Sequence, residues 1–225
     1  MWYENNAVFK ENRAVVKLRK PDGAFIKSII IPTAYYPLNS NYEVFTYKNT
    51  KPMNDDGILK IFDSVKYQLG HCYTNTGELV RKLNESGYDA KSYAGWLFTD
   101  AGDLPVHHCW CVIEKDGEKS VLDLSDDFTA MLSGENGENF KDCDANETRE
   151  LIASFHEAAA SVPNSLRCSP VGTPTPFLLY IGCECPAEDA RKLYGNLMRQ
   201  YPDHECESNC DSTGLNATQR LIFRK

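Results

Sequence analysis

The spacing of apolar residues changes near residue 88, and this change limits the fold more than any other feature of the chain. Cys72, Thr76, Leu79 and Leu83 recur every three or four residues, which predicts one helix face ending near Gly87. Three strand-like runs then follow: KSYAGWLF, HHCWCVIE and EKSVLDLS. The short KDGE turn favours antiparallel pairing of the last two runs. A helix followed by a mostly antiparallel sheet predicts an α+β fold.

The flanking segments predict further elements around this core. AVVKLRK and AFIKSIIIP, joined by a Pro-Asp-Gly turn, indicate a β-hairpin within an N-terminal extension, 1–50. Helices are predicted at 57–67, 146–161 and 186–201, strands at FLLYIGCEC and ATQRLIFRK, and a surface loop at 129–142. We therefore expect a single domain, 1–225, whose core at 57–128 is completed by 129–225, including a C-terminal β-α-β elaboration.

Composition excludes several classes of partner. Apolar residues make up 42% and charged residues 25% of 225 residues, which is typical of a globular protein. The net charge is −8 and the basic residues are scattered, so we expect no nucleic-acid partner. No run of 18 apolar residues and no signal-peptide pattern is present, which predicts a cytoplasmic protein without a membrane partner. The oligomeric state has no signal in the sequence.

Three residues have the types and the order of a thiol catalyst. Cys72 falls at a helix start, where the helix dipole favours the thiolate that attacks a carbonyl. His108 shares a strand face with Trp110 and can supply the base, whereas His107 points to the opposite face. Asp123 lies 15 residues after His108, on the next strand, and can orient the imidazole. The pattern predicts a Cys-His-Asp triad.

The stretch from Gly70 to Asp123 resembles the transglutaminase-like core of the papain-like cysteine peptidase superfamily, as a divergent member. That family has a G-x-C helix start, a G-x-x-A-R-x-x-x-G strand, an H-x-W strand and a following aspartate. The matching residues here are Gly70, Cys72, Gly87, Ala90, Gly95, His108, Trp110 and Asp123. The departures are Lys91 in place of arginine, Cys109 between the histidine and tryptophan, and Leu124 after the acid.

The resemblance implies a papain-like fold and a cysteine-dependent hydrolase or acyltransferase. Its substrate would be a peptide, a protein, or a small amide or ester, and no cofactor would be required. The backbone N–H of Cys72 and the side chain of Gln68 are the candidate donors of an oxyanion hole. The resemblance does not identify the substrate or choose between hydrolysis and transfer.

Two other interpretations remain open from the sequence. The chain could be a non-catalytic interaction or structural protein of the same fold, with inert thiols. Cys183 and Cys185, with Cys206 and Cys210, could instead form a structural zinc site, although C-x-C and C-x-x-x-C spacings are less specific than paired C-x-x-C motifs. Unliganded thiols are the default expectation for these four cysteines.

Overall fold

A computed structural model of the chain describes residues 42–99, 106–126, 145–176 and 178–192, together with the backbone of three strands nearer the N-terminus. These strands are β1 (Trp2–Lys10), β2 (Arg13–Arg19) and β3 (Phe25–Pro32), and they form an antiparallel sheet in the order β1-β2-β3. The predicted hairpin is β2 with β3. β1 was not predicted from the sequence, and its pairing with β2 is interrupted by a register shift between Glu4 and Val8.

A second, five-stranded antiparallel sheet forms the main body, with the order β4-β8-β5-β6-β7. Its strands are β4 (Glu43–Phe45), β5 (Ala90–Thr99), β6 (Val106–Lys115), β7 (Glu118–Leu122) and β8 (Leu178–Glu184). The helices are α1 (Asp56–Asp63), α2 (Cys72–Glu85), α3 (Ala145–Ala160) and the short α4 (Asn164–Arg167), and another helix begins at residue 187. The predicted α+β class is confirmed at this level.

The position of β8 inside the main sheet differs from the prediction. This run was expected in a C-terminal elaboration, but β8 pairs with β5 on one side and β4 on the other. The segment at 32–56, in which no regular structure was expected, therefore contributes β4 to the edge of the main sheet. Two distant parts of the chain complete the sheet that carries His108.

Side chains alternate between two hydrophobic cores along β6, as strand geometry requires. Cys111 and Ile113 pack in one core with Leu79 and Leu83 of α2. Trp110 and Val112 belong to the other core, which also contains Phe45, Tyr93, Leu97, Val121, Leu178 and Tyr180. Both faces of β6 are covered, so the polar side chain of His108 lies in a dry environment.

The turns that position α2 and β7 follow from local sequence. Gly70 precedes α2 with φ +74°, and Gly87 follows it with φ +88°, a conformation that only glycine adopts without strain. The N–H of Tyr88 donates to the carbonyl of Leu83 at 3.0 Å, which closes the helix end. Asp116 and Gly117 both have positive φ, as a two-residue hairpin turn between β6 and β7 needs.

Three predicted elements fall, in whole or in part, outside the described residues: the loop at 129–142, the helix beyond residue 192 and the final strand at ATQRLIFRK. Within the described ranges, no helix combines the length and the apolar character that crossing a membrane requires.

A close backbone contact beside His108 explains a pair of facing glycines. Gly95 pairs with both His108 and Gly182, and a Cβ on Gly95 would lie 2.0 Å from the carbonyl oxygen of Ile181. We expect Gly95→Ala to lower the free energy of unfolding by about 3 kcal/mol, because backbone would have to move. The matched control is Gly77→Ala in α2, whose Cβ would meet Ala187 at an ordinary 3.5 Å.

Urea unfolding of both variants measures the difference. Gly77→Ala should be neutral or stabilising by roughly 0.5–1 kcal/mol, since alanine favours the helix. Equal stability of Gly95→Ala and the unmodified protein would show that β5 and β8 are not in contact at this position.

Candidate active site

Cys72 is the first residue of α2 and is half-buried. Thr76, one turn further along the same helix face, donates from Oγ1 to the carbonyl of Cys109 at 2.9 Å. This bond fixes the start of α2 against β6 next to His108. Cys72 lies near enough to the His108 imidazole to contribute to the raised pKa of that ring. The helix start and the strand, which are 36 residues apart in sequence, thus bring a thiol and a base together.

His108 and Asp123 form a short, buried contact. Nε2 of His108 lies 2.6 Å from Oδ2 of Asp123, and the two residues are only 4% and 6% exposed. Asp123 directly follows β7 rather than lying within it, and its Oδ1 accepts from the N–H of Ser125 at 2.9 Å. Because Nε2 faces Asp123, the ring nitrogen left for the thiol is Nδ1. The structure therefore brings Cys72, His108 and Asp123 together in the predicted order.

The electrostatics of this pair favour the charged forms. Burial on its own lowers the pKa of His108, but the charge and hydrogen bond of Asp123, with a contribution from Cys72, outweigh burial and raise that pKa to about 10. Burial raises the pKa of Asp123, but His108, the Ser125 N–H and the Tyr180 hydroxyl outweigh it, so this pKa is lowered overall. A buried imidazolium beside a carboxylate is the state that a thiolate at Cys72 would complement.

Tyr180 and Asp126 also belong to the site, and the sequence analysis missed both. The Tyr180 hydroxyl lies 2.8 Å from Oδ2 of Asp123 and 3.2 Å from Oδ1 of Asp126. Asp126 is only 7% exposed, although its acidic, loop-like surroundings are typical of a solvated strand end. The available signal was the single hydroxyl in the otherwise apolar run FLLYIGC of β8.

Aromatic rings enclose the imidazole on its protein side. The indole of Trp110 stacks on His108 with a centroid distance of 6.2 Å and an interplanar angle of 17°. The ring of Tyr180 packs against both of these rings, with centroid distances of 6.0 Å to His108 and 5.1 Å to Trp110. Trp110 and Trp96 are fully buried. This apolar wall keeps water from the His108–Asp123 contact and strengthens its electrostatics.

The candidate oxyanion donors lie at the start of α2. No side chain caps this helix end, and N–H groups in a first turn have no partner within the helix. Gln68 is exposed, and both its backbone groups bond to the side chain of Asn75: its N–H at 3.2 Å and its carbonyl at 2.7 Å. These bonds hold Gln68 beside the first turn. Its role as an oxyanion donor stays a prediction, and His71, next to Cys72, is exposed.

The other thiols lie mostly in the core. Cys109 and Cys111 are fully buried, and burial raises the pKa of both. Cys183 and Cys185 are 4% and 8% exposed. In the part of the chain that the structure describes, no three His, Cys, Asp or Glu side chains are grouped to hold a metal ion. Cys206 and Cys210, the other half of the hypothetical zinc site, lie outside the described residues.

A shallow depression lies beside the acid end of the site, and Asp123, Asp126 and Tyr180 are among its lining residues, with Cys168 and Gly172. Cys72 and His108 do not line it.

Comparisons with protein-family models, with curated proteins and with solved structures find no match to this chain. The resemblance to the transglutaminase-like core consequently depends on the residues quoted from the sequence, and it remains a prediction.

The pKa shifts predict how stability depends on pH. The raised pKa of His108 contributes stability that is complete below its unfolded value of 6.5 and is lost as pH rises toward about 10. The lowered pKa of Asp123 contributes stability that is present above 3.8 and is lost as pH falls. We therefore expect the free energy of unfolding to decrease between pH 6 and pH 9.5, by roughly 1–3 kcal/mol.

Urea unfolding at both pH values measures this decrease, and His108→Gln is the control because glutamine cannot be protonated. The variant should be less stable at pH 6 and should change less between the two pH values. Identical pH dependence in both proteins would contradict an ionised His108–Asp123 pair.

Proposed function

We propose that the chain is a thiol-dependent hydrolase or acyltransferase acting on an amide or ester through Cys72, His108 and Asp123. The observation that carries the proposal is the contact of His108 with Asp123 at 2.6 Å on one ring nitrogen, with the Cys72 thiol near the same ring. A thiol, an imidazole and a carboxylate in this order form the arrangement that activates a cysteine nucleophile.

The reaction begins when the sulfur of Cys72, as a thiolate beside the protonated His108, attacks the carbonyl carbon of the substrate. The carbonyl oxygen takes up negative charge, which N–H groups at the start of α2 and the side chain of Gln68 would stabilise. When the C–N or C–O bond breaks, His108 gives its proton to the leaving group and an acyl-Cys72 thioester remains. Water or an amine then attacks the thioester and gives a proton to His108 as the sulfur of Cys72 leaves, which completes hydrolysis or acyl transfer, and Asp123 keeps His108 oriented throughout.

The surroundings of each residue support these roles. Cys72 is half-buried at the end of a helix and so is open to a substrate, whereas Cys109, Cys111, Cys168, Cys183 and Cys185 are buried. Asp123 and His108 are buried and paired. Burying two charged groups is costly in free energy unless hydrogen bonds satisfy them. Placement of the thiol at the accessible end of this pair favours a catalytic role over an inert core cysteine.

Selective alkylation tests whether Cys72 is activated. We expect iodoacetamide at pH 6 to modify Cys72 roughly a hundredfold faster than a free thiol, because the neighbouring imidazolium of His108 activates the sulfur. His108→Ala should abolish the excess reactivity. The matched control is His71→Ala, which removes an exposed histidine next to Cys72 without touching the pair. Peptide mass spectrometry after timed labelling identifies the modified cysteine.

Slow labelling spread evenly over the cysteines would overturn the enzymatic proposal, as would equal reactivity of the His108→Ala variant and the unmodified protein. His107→Ala should reduce the labelling of Cys72 far less than His108→Ala, because the alternation of a strand predicts that neighbouring residues lie on opposite faces.

An activated ester tests acyl transfer itself. p-Nitrophenyl acetate should release a burst of about one p-nitrophenolate per chain and leave an acetyl group on Cys72, detectable as a mass increase on its peptide. Cys72→Ser and Asp123→Asn should each lose the burst. A reactive Cys72 that is alkylated but never acylated would restrict the site to thiol reactivity without acyl-transfer chemistry.

A further inference from the structure

The hydroxyl of Tyr180 lies between two buried carboxylates. It is 2.8 Å from Oδ2 of Asp123 and 3.2 Å from Oδ1 of Asp126, and Tyr180 itself is fully buried. A phenol has a single proton to donate, so the shorter contact identifies Asp123 as the acceptor. His108 contacts the same Oδ2 oxygen through Nε2.

This donation settles the orientation of the Asp123 carboxylate, which could otherwise rotate about its Cβ–Cγ bond. The N–H of Ser125 holds Oδ1 at 2.9 Å, and the hydroxyl of Tyr180 holds Oδ2. With both oxygens held, Oδ2 stays opposite Nε2 of His108. The Tyr180 ring is itself fixed by an edge-on contact with Trp110 and by its place on β8, a central strand.

We propose that Tyr180 is a positioning residue for the reaction of Cys72, orienting Asp123 so that Nδ1 of His108 faces the thiol. The inference rests on the proposed function. Tyr180 does not contact the thiol in this arrangement and acts only through Asp123 and His108.

The charged groups around Asp123 determine whether loss of the Tyr180 hydroxyl raises or lowers the pKa of Asp123. The ionisable groups near it are His108 on β6, Tyr180 on β8, Asp126 in the following turn, Cys109 on β6, and Cys168, which lines the same depression. Arg167 bonds the carbonyl of neighbouring Leu124 at 2.8 Å. Removing the Tyr180 hydroxyl deletes a donor that lowers the pKa of Asp123. Asp123 would then be protonated at higher pH, and the imidazolium would lose its partner.

The test is the pH profile of Cys72 alkylation by iodoacetamide between pH 3 and pH 8 in Tyr180→Phe. We expect the acid-side midpoint to rise by about one pH unit, which means roughly tenfold slower labelling at the foot of the profile. The matched control is Tyr93→Phe. Tyr93 is also a buried tyrosine of the same core that donates to a carboxylate, Glu43, at 2.6 Å, but it has no bond to Asp123. The acid-side midpoint of Tyr93→Phe should stay where it is in the unmodified protein, although the variant should be less stable.

The outcomes separate this inference from the proposed function. Selective labelling of Cys72 in the unmodified protein, with equal midpoints in both phenylalanine variants, overturns the role of Tyr180 and leaves the enzymatic proposal intact. Absence of selective labelling in the unmodified protein overturns the enzymatic proposal, and the role of Tyr180 with it.

A second variant, expected to shift the acid-side midpoint in the opposite direction, separates a specific effect of Tyr180→Phe from misfolding. Asp126→Asn removes a negative charge near Asp123, with the Tyr180 hydroxyl still donating to Asp123. The acid-side midpoint should therefore move to lower pH, a gain that structural damage would not produce. An unchanged or raised midpoint in this variant contradicts the inference.

Discussion

The contact between His108 and Asp123 is the interaction on which the rest of the site depends. Moving an imidazole and a carboxylate out of water is costly, and the contact compensates only when the geometry is good and the remaining polar atoms are satisfied. Each neighbouring element meets part of this need: β6 supplies His108, the turn after β7 supplies the Ser125 N–H, and β8 supplies the Tyr180 hydroxyl.

The sheet accommodates this polar cluster by close approach of its strands. Gly95 and Gly182 face each other across β5 and β8, and a Cβ on Gly182 would lie 2.6 Å from the indole of Trp110. The absent side chains leave room for Trp110 to lie flat against His108. Glycine at these two positions is therefore needed both for the close packing of the strands and for the ring contact beside His108.

The parts of the site that local sequence predicts are those encoded within one element or one turn. Helical spacing places Cys72 at the start of α2, and strand alternation puts His108 and Trp110 on one face. Asp123 was expected within a strand and instead follows β7 directly, a difference that leaves its side chain free to turn toward His108. Gln68 as oxyanion donor and zinc at the C-terminal cysteines stay untested.

Local sequence is enough to predict the α+β class, the helix from Cys72, the β6–β7 hairpin and the order of thiol, imidazole and carboxylate, because each depends on periodicity or turn chemistry over a few residues. The insertion of β8 between β4 and β5, and the presence of Tyr180 and Asp126 in the site, follow only from the tertiary structure. The Tyr180 contacts with Asp123 and Asp126 span 57 and 54 residues. No local pattern encodes strand order across such a distance, since it follows from how all the strands together bury their apolar faces.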